Sequence, residues 1–479
     1  MKVYLWIFWI GIIWTVNCVA GQESCRIFRT CSECISSTLA CGWCDHRPFY
    51  LTANGIRPLC DKPEALELAG CPLDKIINPQ SETPVALGST PQLNPSKYEM
   101  RLRTQTVKNV TIQVTPQQDF PLDLYILMDI SKSMSQFLEL AQTAAGDILS
   151  TVTNLTSDSR LGFGTFVEKR VRPFVNTNDA THSADAFNNV QPLTTNLTQF
   201  QDNIDTVETS NNQDTPEGAL DALVQSMVCQ SGIEWRGKFD ALRMVLLMTD
   251  AEFHYALDDK LAGIVTSNDL QCRMADDSND NKQQFPSYSQ IIRTVLEENI
   301  VVIFSVDADV RDFYSLVSNL IYSGNKTNAA ALLNSQLSAL LNLITESYFE
   351  SSTTVIPVLI SRSTHIRSEL SLSTCENIQA GSNLVCRNVS YNTSAEYSVE
   401  LSLDEHVCQL PPDQRTQTVT YAFVGFGQVT IEVDPICSCD CENQRDENSS
   451  FCMDRGALVC SVCSCDPSYQ VRLLSMVQI

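Results

Sequence analysis

The sequence predicts a multidomain protein of the α/β plus all-β class, with a doubly wound α/β domain inserted in a β-sandwich and flanked by small disulfide-rich modules. Three observations predict this fold. Cysteines crowd near both ends, apolar runs alternate with helical stretches in the middle, and segments of alternating polarity lie on either side of that middle block. A chain of 479 residues is also too long for one hydrophobic core, so we expect two to four domains.

The cysteines predict where the small modules lie. Seven occur within residues 25–71, seven within residues 437–465, and five between these two groups. Such density in a secreted chain is typical of small modules held together by disulfides. The middle of the chain must therefore fold mainly on its own hydrophobic core.

The first residues predict a secretory signal peptide over residues 1–20. Lys2 is its charged end, residues 3–16 are apolar, and Cys18-Val-Ala20 resembles a cleavage site. A membrane anchor is the alternative, but the apolar run is short and no charged stop follows it. We therefore expect the chain to enter the secretory pathway and then to reach the cell surface or be secreted.

Sequons for N-glycosylation fit this expectation. They begin at Asn109, Asn154, Asn196, Asn325, Asn388, Asn392 and Asn448.

The acidic composition argues against some classes of partner. With a net charge of −24, neither nucleic acid nor an anionic membrane surface is an expected partner. The charge is compatible with bound divalent cations, although acidity alone does not show a cation site. No stretch after the signal is long and apolar enough to cross a bilayer.

The middle block predicts a sheet of buried parallel strands covered by helices. Largely apolar runs are typical of such strands, and they occupy residues 124–128, 161–167, 244–248 and 300–306. Helical patterns lie between or after them, near residues 135–152, 216–228, 286–299 and 330–348. This alternation predicts a doubly wound sheet, in which ligands bind at the carboxyl ends of the strands.

The flanking segments predict a β-sandwich made from two separate parts of the chain. Residues 76–97 are rich in proline and predict an extended connector, and residues 98–115 alternate in polarity like a half-buried strand. Residues 352–436 return to short alternating segments. Because domain termini often lie close together, the α/β domain is expected to be an insertion into this sandwich.

Three predicted strand-end loops carry oxygen ligands. Asp129-Ile-Ser131-Lys-Ser133 follows the first apolar run, Asn212-Gln-Asp214-Thr-Pro216-Glu217 opens a helix, and Asp250 follows a third strand. The motif at Asp129 alone is weak, since Ser133 could cap a helix and Asp129 could be a turn residue. The three loops together favour a Mg²⁺ site with a position left for water or an incoming carboxylate.

At these residues the chain resembles the beta subunit of integrins. The matching stretches are residues 123–134, 161–167, 214–218, 248–251 and 257–265. The cysteine pattern matches as well, and the resemblance covers about residues 25–465. It indicates a divergent member of the integrin beta family, which we expect to come from an invertebrate. It implies an I-like domain of the von Willebrand A type inserted in a hybrid domain.

The resemblance also implies the domain boundaries. They are a signal peptide at 1–20, a plexin–semaphorin–integrin (PSI) module at 21–75, the hybrid domain at 76–117 and 352–438, the I-like domain at 118–351, and an incomplete epidermal-growth-factor-like (EGF-like) repeat at 439–479. The family's further stalk repeats, membrane span and cytoplasmic tail are not in the sequence. We therefore expect a truncated product, a splice variant or a faulty gene model.

Two cation sites are carried over by the resemblance, and Mg²⁺ and Ca²⁺ are the expected cofactors. The central Mg²⁺ site is implied at Asp129, Ser131, Ser133 and Glu217, with Asp250 nearby. A synergistic cation site is implied at Glu168, Asn212, Asp214, Pro216 and Glu217. Relatives usually have Asp where this chain has Glu168, so this ligand is longer here.

The chain departs from the family pattern at three places. Two consecutive Asp residues usually form an adjacent regulatory site where this chain has Gln136 and Phe137, so we predict that this site is absent or very weak. No cysteine lies between Cys71 and Cys229, so the small disulfide loop that relatives have before Thr194 is missing. Lys132 replaces a common Tyr beside the metal. Recognition of Arg-Gly-Asp therefore does not carry over.

The resemblance implies most of the disulfide pairs. They are Cys25–Cys41, Cys31–Cys439, Cys34–Cys60, Cys44–Cys71, Cys229–Cys272, Cys375–Cys386, Cys408–Cys437, Cys441–Cys460 and Cys452–Cys463. Cys465 is then left over. A redox role for Cys41-Gly-Trp-Cys44 is disfavoured, because no thioredoxin-like βαβ pattern surrounds it.

Three functions follow as hypotheses. The first is a cation-dependent adhesion receptor subunit that needs an alpha subunit and an extracellular matrix or cell-surface protein ligand. The family implies that Lys260 reaches the alpha subunit, although a solvated surface charge is the alternative. Ligand binding would shift the last helix, near residues 330–348, and move the hybrid domain.

The second hypothesis is a secreted decoy without signalling. The third is a metal-dependent hydrolase, which is disfavoured because the three metal loops contain no His. His254 is the nearest candidate base, and we expect it at the surface or in the core. We therefore predict that the protein is not an enzyme.

Overall fold

The computed structural model describes residues 25–52, 55–178, 185–274, 282–322, 330–333, 336–376 and 384–465. The predicted signal peptide and the sequon at Asn325 lie outside these residues. The chain divides into two compact units. One contains the described parts of residues 1–80, 103–105 and 436–479, and the other those of residues 81–102 and 106–435.

The first unit begins with a small cysteine-rich module. Its helices are α1 (Cys31–Ser37), α2 (Arg47–Tyr50) and α3 (Pro63–Leu68). Its strands are β1 (Gly42–Cys44), β2 (Leu51–Thr52), β3 (Gly55–Ile56), β4 (Cys60–Asp61) and β5 (Ile76–Ile77). A capping box starts α1, because Thr30 and Glu33 each accept a hydrogen bond from the backbone N–H of the other. Trp43 and the buried Arg103 guanidinium complete the interior. Arg103 donates to the carbonyls of Ile35, Thr38 and Cys41.

The second unit begins with four strands of a sandwich. They are β6 (Val85–Leu87), β7 (Leu93–Asn94), β8 (Lys97–Leu102) and β9 (Val107–Val114). The single strand predicted over residues 98–115 is thus two strands, β8 and β9, which belong to different sheets. Residues 103–105 between them belong to the first unit.

An α/β block follows. Its strands are β10 (Leu122–Asp129), β11 (Ser159–Phe166), β12 (Asn188–Thr194), β13 (Leu242–Thr249), β14 (Ile300–Val306) and β15 (Ala330–Leu332). They form one sheet in the order β12-β11-β10-β13-β14-β15, in which only β12 is antiparallel to its neighbour. Every residue of β10, β13 and β14 is buried, which explains their apolar sequences.

Eight helices accompany this sheet among the described residues. They are α4 (Ser135–Thr143), α5 (Ala145–Leu155), α6 (Leu197–Ile204), α7 (Ala219–Val228), α8 (Gln230–Ile233), α9 (Tyr288–Glu298), α10 (Arg311–Tyr322) and α11 (Leu337–Thr353). They pack in two groups: α5 contacts α4, α6 and α11, whereas α9 contacts α7 and α10. The predicted doubly wound α/β class is confirmed. The helix predicted over residues 330–348 was wrong at its start, because residues 330–332 are strand β15 and α11 begins only at Leu337.

The chain then completes the sandwich with five strands. They are β16 (Pro357–Arg362), β17 (Ile366–Thr374), β18 (Ala395–Leu403), β19 (Gln417–Phe423) and β20 (Gly427–Pro435). The two sheets run β16-β19-β20-β8-β6 and β17-β18-β9-β7, so strands from both sides of the α/β block pair with each other. Tyr397 and Phe423 are among the residues in the core between them, with ring centroids 5.1 Å apart. The α/β block is therefore an insertion in the sandwich.

The first unit ends with a hairpin of β21 (Gly456–Val459) and β22 (Val462–Cys465). The structure contains eight of the expected disulfides. They are Cys25–Cys41, Cys31–Cys439, Cys34–Cys60, Cys44–Cys71, Cys229–Cys272, Cys375–Cys386, Cys441–Cys460 and Cys452–Cys463. Cys408 and Cys437 are also disulfide-bonded. No helix in the described part of the chain has the length and apolar character needed to span a bilayer.

Candidate metal centre

The central cluster lies at the carboxyl ends of two neighbouring strands. β10 ends at Asp129 and β13 ends at Thr249, and the two strands pair in parallel. Asp129 is fully buried. Its Oδ2 accepts a 2.7 Å hydrogen bond from Thr249 Oγ1, and its Oδ1 accepts one of 2.7 Å from Ser131 N. These two hydrogen bonds, one to each oxygen, hold the Asp129 carboxylate in one orientation at the ends of the two strands.

The two predicted serines extend this cluster toward Asp250. The hydroxyls of Ser131 and Ser133 lie 3.1 Å apart, and Ser133 Oγ donates to Asp250 Oδ1 over 3.0 Å. The structure thus brings Asp129, both serines and Asp250 into one connected group of oxygen atoms. Hydroxyl and carboxylate oxygens are the ligands that Mg²⁺ prefers.

Glu217 reaches the same region from the loop before α7. Its backbone N–H donates to the Glu252 carbonyl over 2.8 Å, which ties this loop to the segment after β13. Its side chain is 3% exposed, and Asn212 Nδ2 donates to its Oε2 over 2.9 Å. Burial, with added repulsion from Asp129 and other nearby carboxylates, raises the pKa of Glu217 to about 11.

Burial also raises the pKa of Asp129 to about 6. Both carboxyl groups therefore resist ionisation as long as no positive charge compensates them. A divalent cation would supply that charge, so the donor set fits a hard metal ion.

A second cluster joins Glu168, Asp214 and a residue that the sequence did not assign to a site, His254. Glu168 is fully buried, and burial raises its pKa well above the ordinary value. His254 Nε2 lies 3.2 Å from Asp214 Oδ2 and 3.4 Å from Glu168 Oε2. Asn212 and Pro216 lie on the same loop as Asp214 and are half-buried. His254 was expected at the surface or in the core; it is 5% exposed and therefore in the core, next to the metal loops.

Sequence reasoning missed two residues here for different reasons. Thr249 carries a readable signal, since it is a polar residue that ends a buried strand next to Asp250. His254 carries no comparable signal, because only the fold of the segment after β13 turns it toward Glu168. The parallel bridge between Glu217 and Phe253 shows how that segment is held.

The remaining predicted positions are placed as follows. Gln136 is exposed in the first turn of α4, whereas Phe137 is 8% exposed and packs in the main core. Lys132 and Lys260 are both exposed. Lys260 lies in a short 3₁₀ turn, Asp258–Ala262.

Comparison with known proteins gives a consistent family. The model of the integrin beta chain VWA domain matches residues 117–355. Integrin beta-1-B of Xenopus laevis is 30% identical over 97% of this chain and 61% of its own length. Integrin beta-6 of Ovis aries is 29% identical over 92% of this chain and 58% of its own length. The chain thus spans about three fifths of the curated relatives it matches.

Among solved structures, the pilus adhesin SpaC of Lactobacillus rhamnosus GG covers 73% of this chain and 49% of its own, with 14% identity and a TM-score of 0.32. A likeness this weak supports no statement about fold or function. The sequence matches extend across the α/β block, the sandwich and the cysteine-rich module. The chain belongs to the integrin beta family.

Proposed function

We propose that the chain is the head of a beta subunit that pairs with an alpha subunit to form a divalent-cation-dependent cell-adhesion receptor. In this proposal an acidic side chain of an extracellular protein ligand completes the coordination of a Mg²⁺ ion. Asp129, Ser131, Ser133 and Glu217 hold this ion, with Asp250 beside it. The observation that carries the proposal is the hydrogen-bonded cluster of carboxylate and hydroxyl oxygens at the carboxyl ends of β10 and β13.

The metal would supply the positive charge that attracts the ligand carboxylate. The protein residues hold that charge at a fixed point of the sheet edge. Asp129 is oriented by Thr249 and by the Ser131 backbone, and Ser133 is oriented by Asp250. Mg²⁺ usually keeps several waters rather than a complete set of protein ligands, so coordination positions remain for water or ligand. By family membership the chain is a receptor subunit rather than an enzyme, so ligand rather than activated water occupies this position.

A second cation, Ca²⁺ by carry-over from the family, would lie at Glu168, Asn212, Asp214, Pro216 and Glu217. Glu217 would then bind both cations. Its position between them fits the repulsion that it receives from the carboxylates of both clusters, Asp129 on one side and Glu168 and Asp214 on the other. The adjacent regulatory site is proposed to be absent. Phe137 occupies one of its positions, and this side chain is buried in the core.

Lys260 and its surroundings support an alpha subunit as partner. Leu257, Leu261 and Val265 are 57%, 78% and 73% exposed around this lysine. Large apolar side chains grouped on a surface, rimmed by charge, are typical of protein interfaces. The proposed contact with the alpha subunit therefore combines Lys260 with exposed apolar side chains near it in the sequence.

The inserted topology supports coupling between ligand binding and the sandwich, which we propose to be the hybrid domain. α11 ends at Thr353, and β16 begins only four residues later. Val355, between them, makes backbone hydrogen bonds with Cys386 in both directions. A displacement of α11 along its axis would therefore be transmitted directly to the sandwich. The domain boundaries inferred from the sequence are proposed on the same basis.

Extracellular placement is proposed from the sequons and the disulfides. The asparagines of the six described sequons are all exposed. They are Asn109, Asn154, Asn196, Asn388, Asn392 and Asn448. Exposed sequons and dense disulfides both fit passage through the secretory pathway.

The test is adhesion of cells that co-express the chain with an alpha subunit to surfaces coated with single matrix proteins. We expect adhesion in Mg²⁺ that is lost in chelator and lost in Asp129→Ala. Asp309→Ala removes an exposed carboxylate from the loop after β14 and serves as the matched control. Equal adhesion of wild type and Asp129→Ala, or adhesion that persists in chelator, would contradict the proposal.

A further inference from the structure

A cleft of about 480 Å³ lies at the carboxyl edge of the α/β sheet, on the side of β12. Its walls come from the end of β11, the start of β12 and residues 206–210, which follow α6. Because β12 runs antiparallel to β11, the start of β12 lies beside the end of β11. The central cluster lies along the same edge, since Asp129 pairs with Phe166 at the end of β11.

The cleft and the central cluster share a wall. Ile130 lines the cleft and lies between Asp129 and Ser131 in the chain. Its carbonyl accepts a 2.8 Å hydrogen bond from Ser210 N, and Ser131 and Ser210 form a parallel bridge. Adjacent strands lie about 4.8 Å apart, so the cleft is about 5–10 Å from the central cluster. An extended peptide advances about 3.3–3.6 Å per residue, so side chains up to about three residues apart can reach both places.

The cleft offers carboxylates and no basic side chain. Asp185 and Glu208 line it, and none of the described residues in its walls is Lys or Arg. Asp185 already pairs with Arg170 over 3.0 Å. Glu208 is exposed and has no ion-pair partner within the described part of the chain. The Glu208 carboxylate is therefore available to a cationic group from another molecule.

A buried hydroxyl in the same cleft supports a ligand independently of the acidic residues. Ser210 is 6% exposed, and its Oγ has no hydrogen-bond partner among the residues that the structure describes. Buried polar atoms are almost always paired, so an unpaired hydroxyl in the wall of a cleft indicates a partner that binds from outside. Asn189 in the same wall shows the contrast. Its side chain donates to the Gly232 carbonyl and accepts from Tyr125 Oη.

The apolar side chains of the cleft fit the stem of a long basic side chain. Ile130, Val190 and Val207 are half-buried and line it. Lys and Arg bury their methylene stems along apolar surface and keep the charged end among polar groups. A guanidinium has five donors and can bond a carboxylate and a hydroxyl at once. An acidic side chain would be repelled by Glu208.

We propose that this cleft binds a basic side chain of the same extracellular ligand whose acidic side chain completes the central Mg²⁺ site. The inference rests on the proposed function and adds a second determinant of ligand choice to it. Glu208 supplies the opposite charge, and Ser210 supplies a hydrogen-bond acceptor. The chain then selects ligands in which a basic residue lies within about three positions of the acidic residue.

The first test uses a small probe that does not need the metal. Nα-acetyl-arginine amide is titrated against the purified heterodimer and detected by saturation-transfer NMR, with the citrulline analogue as its uncharged match. We expect the arginine probe to bind at least about threefold more tightly than the citrulline probe, in the wild type and in Asp129→Ala alike. Glu208→Gln should remove this preference. Ser210→Ala should weaken binding of the arginine probe about threefold.

A matched control completes this test. Glu139→Gln removes an exposed carboxylate of α4 that does not line the cleft, and it should bind the arginine probe like the wild type. Equal binding of the two probes, or equal binding of the arginine probe by the wild type and Glu208→Gln, would overturn the proposal.

The second test selects peptides on the heterodimer from a display library with one fixed Asp among random residues. In Mg²⁺ we expect Lys or Arg within about three positions of the Asp for the wild type but not for Glu208→Gln. Selection that depends on Mg²⁺ without a basic residue near the Asp would overturn the inference and leave the proposed function standing. Selection that is unchanged in chelator would count against the proposed function, and the arginine probe then decides the inference by itself.

Discussion

At the scale of single residues, the candidate site is a concentration of carboxyl groups that folding has removed from water. Asp129, Glu168 and Glu217 are all buried, and burial is the first cause of the raised pKa of each one. Such groups destabilise the fold when they ionise without a partner. Binding of a cation at this site would therefore stabilise the fold.

Glu217 makes the free energy of unfolding depend on pH when no cation is bound. Folding raises its pKa from 4.5 to about 11, so the native state binds the proton more tightly than the unfolded state. The free energy of unfolding therefore falls as pH rises through that window, by up to about 1.4 kcal/mol per pH unit. In chelator, urea unfolding at about pH 5 and about pH 8 should show a larger loss for the wild type than for Glu217→Gln, in which Asp129 and Glu168 still contribute to the pH dependence. Identical pH slopes for the two proteins would contradict the coupling.

Thr249 is expected to act on the metal through Asp129. Thr249→Val keeps the shape of the side chain but removes the hydrogen bond to Asp129 Oδ2. Loss of such an orienting bond weakens metal binding by about 10- to 100-fold. Calorimetric titration with Mg²⁺ measures this change. Thr294→Val is the control, since this buried hydroxyl donates to the Gln290 carbonyl within α9 and should leave Mg²⁺ affinity unchanged.

At the scale of elements, α4 determines which side chains face the metal edge and which face the core. Its first turn exposes Gln136 and buries Phe137 and Leu138. Neither Gln136 nor Phe137 supplies a carboxylate, and Phe137 contributes to the packing of the sheet instead. The orientation of one short helix thus supports the proposed loss of the adjacent cation site.

Stability measurements can test this orientation of α4. Phe137→Asp places a carboxylate in the core and should lower the free energy of unfolding by at least about 3 kcal/mol. Gln136→Asp, one residue earlier and exposed, should change it by no more than about 0.5 kcal/mol. Urea unfolding of the two variants gives the comparison. Similar small effects would mean that Phe137 does not pack in the core.

At the scale of the whole molecule, sheet topology assembles the site from distant parts of the chain. Parallel pairing of β10 with β13 brings Asp129 and Asp250 together, although they are 121 residues apart in the numbering of the sequence. The loop before α7 then adds Glu217 from a third position. The sandwich strands on both sides of the α/β block pair with each other and close the second unit.

Assembly with an alpha subunit is expected to depend on Lys260. Lys260→Glu reverses the charge of an exposed lysine that lies in the sequence between the exposed residues Leu257, Leu261 and Val265. Since a like or unpaired charge at an interface is costly, we expect recovery of the heterodimer to fall at least about tenfold. Co-purification from cells expressing both subunits measures this recovery. Lys62→Glu, an exposed lysine of the first unit, should co-purify like the wild type.

Most of the α/β block could be predicted from the sequence, because the continuous apolar sequences of its four central strands are compatible with few structures other than buried strands. Continuous apolar runs that end at polar residues predicted β10, β11, β13 and β14. The edge strands could not be predicted in the same way. β12 has mixed polarity and β15 has three residues, so pairing with a neighbour rather than local pattern makes them strands.

The sequence by itself determined the chemistry of this protein: its disulfide-rich ends, its oxygen ligands at strand ends, and its family. These features depend on residue type and spacing, which the chain carries locally. The tertiary structure alone decided that Thr249 orients Asp129 and that His254 faces Glu168 and Asp214. Those contacts join residues through parallel strand pairing and loop packing, and no local pattern encodes a distance between side chains that lie far apart in the chain.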